Sequence, residues 1–418
     1  MRLRFTFAIL ALAYSAPAFA QAEAPRTTLA PLIDAAMAAS PEIAAARLRY
    51  EAALERPAQE RSLPDPMVSA GYAASGKPFP GAGLGKEPTA NIGLMVTQEI
   101  PYPGKRGLRA SMATREAEAA REEIAAARLS VVTRVKQAYY RLAYTYAAVD
   151  VLARNRELLE TLLKVSEARY GVGGAAQQDV FKGQAELTVV HLQEQRLLQE
   201  RRTREAELNA LINREQGMPV GRPEDLQFVP FDVPVGALLA GARAHAPMLL
   251  RDRKMIERAE VGVESARRDY KPDFGVSGGY YNMGSMPAMY EFRFDITVPL
   301  QRARRAAAVK EQAALRDQAR HALDATARGI EARIQEDYEM ASTSSRLARL
   351  YRDTLLPQVR LALESSMASY QTGGVDFLSV LTNFSSVIDN EMRYFDELAS
   401  FHVAASRLEE MTGAPIAH

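Results

Sequence analysis

Apolar positions along the chain change period in a fixed order, and the order occurs twice. Residues 29–62 carry the Ala, Glu, Arg and Leu mixture of amphipathic helices. Val68, Ala70, Tyr72 and Ala74 then alternate with Ser69, Gly71 and Ser75, and Ile92, Leu94 and Val96 alternate with Asn91, Gly93 and Thr97. Alternation of this kind predicts two short strands, about 67–75 and 90–100. From Lys105 to Arg169 there is no proline and only one glycine, Gly107, so a single helix of roughly 95 Å is predicted. Its apolar residues Ile124, Val131, Val135, Ala138, Leu142, Val149, Leu152, Leu159 and Leu163 fall at threes, fours and sevens, the seam of a coiled coil. The seam stops at the glycine-rich Tyr170 to Gly174, and a return helix runs to about Asn213, closing a hairpin over 105–213. The second half predicts strands at about 274–282 and 290–299 and a second hairpin over 301–411, turning at Gly373-Gly374. Pro357 has no counterpart in the first half and is expected to kink or break its helix.

Matched words support a duplication. Pro64-Asp65 with Gly71-Tyr72 returns as Pro272-Asp273 with Gly279-Tyr280, and Arg169-Tyr170 with Gly173-Gly174 returns as Ser369-Tyr370 with Gly373-Gly374. Ser40-Pro41 is echoed by Ala246-Pro247, and Glu99-Ile100-Pro101 by Thr297-Val298-Pro299. The halves are 21–216 and 237–418. Between them, 217–236 carries Pro219, Pro223, Pro230 and Pro234 and reads as a crossing linker. Ahead of both, Arg2 and Arg4 precede the apolar run Phe5 to Ala13, and Ala18-Phe19-Ala20 supplies small residues for cleavage before Gln21. Residues 1–20 therefore read as a signal peptide, and the mature chain is expected outside the cytoplasm.

The fourth strand interleaves Tyr290, Phe292, Phe294, Ile296 and Val298 with Glu291, Arg293, Asp295 and Thr297. Such a strand fits either the surface of a soluble core or a membrane, with the apolar side toward lipid and the charged side toward a lumen. Four strands cannot close a barrel, and hydrocarbon tolerates no open edge, so a membrane location requires several protomers to share one barrel. Three copies supply twelve strands.

Composition removes other readings. With 52 basic and 51 acidic side chains the chain has no electrostatic case for nucleic acid. It contains no cysteine, which excludes disulfides, thiolate metal sites and thiol nucleophiles. No HExxH, GxSxG or Walker A motif occurs, and Gly81, Gly83, Gly85 and Lys86 form only a near miss to the last, because Pro80 and Glu87 interrupt it. The acids lie among arginines and lysines on long helices, as on solvated faces, so no enzyme activity and no cofactor are expected. His191, His245, His321, His402 and His418 have no partner at ligand spacing. Met283, Met286 and Met289 recur at threes between the third and fourth strands; thioethers suit Cu(I) or Ag(I), and the same spacing also suits a loop meeting lipid or neighbouring loops.

Taken together, the cleaved leader, the duplicated plan, four strands and two hairpins with Tyr-x-x-Gly tips resemble the TolC-like outer-membrane efflux proteins. The run Ile92-Gly93-Leu94-Met95-Val96-Thr97-Gln98-Glu99-Ile100-Pro101-Tyr102-Pro103-Gly104-Lys105 is similar to the heavy-metal, CzcC-type branch. This resemblance implies a mainly α fold with a small β part: a homotrimer whose 12-stranded outer-membrane barrel, set in lipid, continues as a periplasmic helical barrel. It further implies a channel that passively conducts substrates, in the heavy-metal branch metal cations. Its implied partners are a periplasmic adaptor (membrane fusion) protein and an inner-membrane pump of the resistance-nodulation-division class. Glu291, Arg293, Asp295 and Thr297 would then line the barrel lumen.

By the same resemblance, Tyr170, Gly173 and Asp179 match the first hairpin tip and Tyr370 and Gly373 the second, which in the family form the periplasmic gate and the adaptor contact. Three copies of Asp179 would ring the entrance and favour cations; an acid there also suits a helix N-terminus. Tyrosine at such a tip equally covers its own turn. At the second tip the chain departs from the best-known member, with Val375 in place of an arginine and Ser379 in place of an aspartate. Asp376 is the acid nearest that gap. The competing reading of the whole chain is a periplasmic coiled-coil adaptor or tether without a channel.

Overall fold

The computed structural model describes residues 26–75, 79 and 83–416, so the expected signal peptide over 1–20 lies outside the described residues. In chain order the elements are β1 (Arg26–Thr27), α1 (Leu29–Ala39), α2 (Pro41–Arg61), β2 (Met67–Ala73), β3 (Asn91–Ile100), α3 (Lys105–Gly171), α4 (Gln177–Leu211) and β4 (Arg222–Pro223). There follow α5 (Val235–His245), α6 (Pro247–Arg268), β5 (Asp273–Asn282), β6 (Met289–Thr297), α7 (Arg302–Leu350), a π-helical turn (Tyr351–Leu355), α8 (Leu356–Thr372) and α9 (Phe377–Thr412). Pro41 and Pro247 each open a helix, where the missing N–H costs nothing; the Ser40 hydroxyl also accepts from the Ile43 N–H at 3.4 Å.

The 67-residue α3 is the spine, packing against α2, α4, α6 and α9. Of its seam, Val131, Val135, Ala138, Leu142, Leu152 and Leu159 are buried, while Ile124, Val149 and Leu163 are half-buried. Two apolar clusters grow on this spine: Leu152, Leu159 and Leu162 meet Phe377, Phe384 and Ile388 of α9, and Val135 and Leu142 meet Leu208 and Ile212. A third gathers Ile334, Phe401 and Leu408 around α5. At Pro357 the α-helix is interrupted by one π turn rather than ended. The turn before the proline widens: the Leu356 N–H reaches back five residues to the Tyr351 carbonyl, and the helical path continues to Thr372. A π turn absorbs a proline by re-pairing the carbonyls that its ring would otherwise leave without donors.

The residues between the halves do not cross freely. Arg222–Pro223 pairs in parallel with Arg26–Thr27, Tyr139 Oη accepts from the Glu224 N–H at 3.0 Å, and Phe231 lies 5.8 Å from Phe401. They form a strap held on the helices.

The four long strands make one antiparallel sheet in the order β2-β3-β5-β6, with the two halves of the chain joined at the β3–β5 pair. In this register Val68, Leu94, Val96, Val276, Tyr280, Phe292, Phe294 and Ile296 share one face, and all are exposed, Phe292 to 87%. The other face holds Ser69, Thr97, Ser277, Glu291, Arg293 and Asp295. Neither β2 nor β6 has a partner on its outer edge among the described residues.

On the polar face the Tyr281 ring lies across Gly93, where a Cβ would sit 2.1 Å from the ring. Gly71, paired directly with Gly93, has nothing within 4 Å of the same position. Gly93→Ala should therefore displace the ring and destabilise the sheet by about 1–3 kcal/mol, whereas Gly71→Ala should be nearly neutral. Thermal unfolding of the two detergent-extracted variants checks this; equal midpoints would contradict the packing.

Candidate functional site: the polar sheet face and the hairpin tips

The sheet meets the helices at a charged joint. Lys105 opens α3 and is buried, its Nζ donating to the Lys271 carbonyl at 2.9 Å and to Asp273 Oδ2 at 2.9 Å, with Asp269 at 3.7 Å. Asp273 Oδ1 accepts from the Tyr102 N–H at 2.7 Å. A buried ammonium with two acidic neighbours and a carbonyl is satisfied, and its removal would leave those acceptors short of a donor. This pin fixes the angle at which strand β3 becomes helix α3 and ties it to the start of β5. Sequence reasoning placed Lys105 at the end of a motif without assigning it a role.

From that joint the polar face runs along the strands. Arg293 donates to Glu291 at 2.6 Å, and Thr97 and Ser277 hydroxyls lie 3.1 Å apart. Asp295 is exposed beside Gly275, whose missing side chain leaves room for it, and it has no ion pair among the described residues. Thr297 pairs in register with Asp273. At the far end the Gly85 N–H donates to the Met283 carbonyl at 3.0 Å and Ser285 Oγ donates to the Gly85 carbonyl at 2.9 Å, so the two hairpin loops are tied together. Met283 and Met286 lie half-buried there, and Met289 starts β6 exposed. No group of three or more His, Asp or Glu side chains suited to a metal ion occurs among the described residues.

The other candidate residues gather at the opposite extreme, where both hairpins turn. Gly173 and Gly373 have φ of +75° and +84° and donate to the carbonyls of Tyr170 and Tyr370 at 3.0 and 3.1 Å, so each ends its helix in a left-handed cap that a side chain would strain. Yet the two tyrosines differ. Tyr170 is 46% exposed, whereas Tyr370 is 3% exposed and packs on Phe377 with ring centroids 5.4 Å apart. Asp179 stands half-buried in the first turn of α4, with no side-chain hydrogen bond among the described residues; its N–H donates to the Ala176 carbonyl at 3.0 Å. Asp376 caps α9, accepting from the Ser379 N–H at 3.0 Å and from the Ser379 hydroxyl. Those donors hold its carboxyl below the usual aspartate range. The structure thus brings Tyr170, Gly173, Tyr370, Gly373 and Asp376 to one end of the molecule, where Asp376 caps α9.

Residues 32–214 match the outer membrane efflux protein family. The multidrug resistance outer membrane protein MdtP of Shigella flexneri is 28% identical over 189 residues, 45% of this chain and 38% of that protein. MdtP of Escherichia coli O157:H7 matches to the same extent, so the chain aligns with about two-fifths of these relatives' length. Solved structures extend the likeness to both halves. VceC of Vibrio cholerae, an outer membrane protein, superposes with a TM-score of 0.78 at 20% identity, covering 93% of this chain and 97% of its own. CusC superposes with 0.78 at 15% identity over 92% of each chain, and the Neisseria gonorrhoeae MtrE outer membrane channel with 0.73 at 18% over 94% and 90%. The fold is therefore that of outer-membrane channel proteins, and the family match rests on the first hairpin and its preceding strands.

The cap assignment is testable. Asp376→Ala should lower the thermal midpoint and Asp376→Asn should restore it, because Asn also accepts at an N-cap. The carboxyl is depressed in the folded chain, so its stabilising effect is present above the unfolded aspartate range, about pH 4, and is lost as the pH falls through its lower folded value. Melting curves of wild type and Asp376→Ala should converge on acidification; a constant gap would overturn the charge-based cap.

Proposed function

We propose that three copies of this chain form a passive duct across the outer membrane, a twelve-stranded barrel continued by the helical hairpins through the periplasm. One observation carries the reading: a four-stranded sheet exposes a mostly apolar face while its opposite face is charged, and both of its edges are unpaired among the described residues. Such a sheet is stable in a bilayer only if other copies cover the edges, lipid covers the apolar face and water fills the space behind the polar one. No single described helix is long and apolar enough to cross a membrane, which is consistent with insertion through strands. A soluble tether has no use for such a surface, and a duct needs no catalytic step.

In this reading Glu291, Arg293, Asp295 and Thr297 line the lumen, and Tyr170, Gly173, Asp179, Tyr370, Gly373 and Asp376 stand at the periplasmic entrance. There the chain would meet a periplasmic adaptor coupled to an inner-membrane resistance-nodulation-division pump, which supplies the energy. The cargo we propose is metal cations, supported by the CzcC-like run from Ile92 to Lys105 and by the net negative charge of the lumenal acids over Arg293. A second reading, organic compounds, is favoured by the multidrug designation of the MdtP relatives. Growth of a deletion strain with and without the chain, on metal salts and on cationic dyes, separates the two.

The detergent-corrected mass of protein extracted from an outer-membrane fraction should equal three chains; a monomer released without detergent would overturn the duct. In planar bilayers, Asp179→Ala should shift the reversal potential in a salt gradient toward zero, by loss of a negative ring at the entrance. An unchanged potential would remove Asp179 from that role.

A further inference from the structure

All four passages between helix and strand lie at one level, and that level is basic. The register pairs Met67 with Thr97, Ile100 with Phe274 and Asp273 with Thr297, so the end of α2, the start of α3, the end of α6 and the start of α7 meet the same margin of the sheet. These passages, residues 60–66, 98–110, 264–273 and 298–305, hold ten basic side chains against six acidic ones, in a chain whose charges otherwise nearly cancel. At the opposite margin, residues 83–90 and 283–288 carry only the charges of Lys86 and Glu87. The basic excess therefore belongs to one end of the sheet.

Part of this collar is used internally. Lys105 is buried against its acceptors, Arg106 donates to the Arg61 carbonyl at 2.8 Å, Arg305 donates to the Asp269 carbonyl at 2.7 Å, and Arg268 lies 3.8 Å from Glu264. The rest has no such use. Arg61, Arg109, Arg267, Lys271, Arg302 and Arg304 are exposed, and their side chains make no hydrogen bond or ion pair among the described residues. Arg302 and Arg304 do not stabilise their own helix either: α7 has no acid in its first turn and opens on arginines, at the end where the helix dipole favours negative charge. Just before them, Val298 and Leu300 are 60% and 82% exposed and carry the apolar side of β6 to within two residues of Arg302.

We propose that this collar, centred on Arg302 and Arg304, binds the anionic headgroups of phospholipids in the leaflet that faces the periplasm. The proposal rests on the duct reading, which sets the apolar face of the sheet in lipid. With acyl chains against Phe294, Ile296 and Val298, the phosphates of the same lipids reach the level where the unpaired cations stand. A headgroup with net negative charge is held there more tightly than a zwitterionic one, because the attraction is to net charge and is screened by salt.

The test incubates the full chain, extracted in detergent, with mixed micelles of phosphatidylglycerol and phosphatidylcholine that have the same acyl chains. Phospholipid retained per chain is then measured by mass spectrometry after gel filtration. Phosphatidylglycerol should be retained about threefold or more over phosphatidylcholine at low salt, and the excess should vanish in molar salt. Arg302→Gln with Arg304→Gln should remove most of that excess and leave phosphatidylcholine retention unchanged, whereas Arg302→Lys with Arg304→Lys should keep it. Arg109→Gln with Arg267→Gln, on helices away from the sheet edges, should lower it by a smaller factor. Equal retention of the two lipids by the wild type, or an unchanged excess in the glutamine variants, would overturn the collar and leave the duct reading standing. Glutamine variants that fall apart into single chains yet keep the excess would show that the arginines join protomers, which also overturns it. A wild-type chain that retains neither lipid would remove the duct reading and the collar together.

Discussion

Unsatisfied backbone on the outer edges of β2 and β6 is the constraint from which the rest of the architecture follows. Each strand of seven to nine residues presents a row of N–H and C=O groups that water can satisfy and hydrocarbon cannot. Meanwhile Phe292, Phe294, Ile296, Leu94 and Val96 on one face of the same sheet disfavour water. One chain cannot resolve both demands. In the duct we propose, a closed ring of identical sheets would resolve both, with the hairpins stiff enough to hold each sheet at the angle that lets neighbouring edges meet.

That stiffness comes from α3 and its joint. A helix of 67 residues has little stability of its own, so the packing of α2, α4, α6 and α9 along it supplies the rigidity. At one end Lys105, Asp273 and Tyr102 lock the helix to the sheet; at the other Arg169 locks it to the second hairpin. Both locks are cations at chain reversals, where backbone carbonyls or carboxylates crowd. Between them the chain packs around three separate apolar clusters. The π turn before Pro357 carries the outgoing helix of the second hairpin from α7 on into α8.

Much of this was readable from residue order. Alternation from Tyr290 to Val298 marks a strand because the two faces of a strand meet different surroundings, and Met289–Thr297 is the strand seen. The proline-free run from Lys105 marks a long helix for the complementary reason. The tips were readable through Gly173 and Gly373, since a positive φ almost demands glycine. Less was readable of what those tips do. Asp376 stands out as an acid near a gap in a familiar pattern, and the structure turns it inward to its own helix as a cap. Arg169 was visible only as half of a repeated word, and its mismatch with Ser369 was the one signal that it differed.

What the sequence determined by itself is the set of local choices: periodicity, turn glycines, helix-opening prolines and the division into two similar halves, because each depends on neighbours within a turn or two. The pairing of β3 with β5, the burial of Tyr370 beside an exposed Tyr170, the strap across Tyr139 and the bridge from Arg169 to Tyr370 were decided by the tertiary structure alone. Each joins residues 85 to 201 positions apart or separates two residues that read alike. Such contacts carry no trace in local composition; they exist only once the apolar seams have aligned the helices and brought the distant groups within reach of a hydrogen bond.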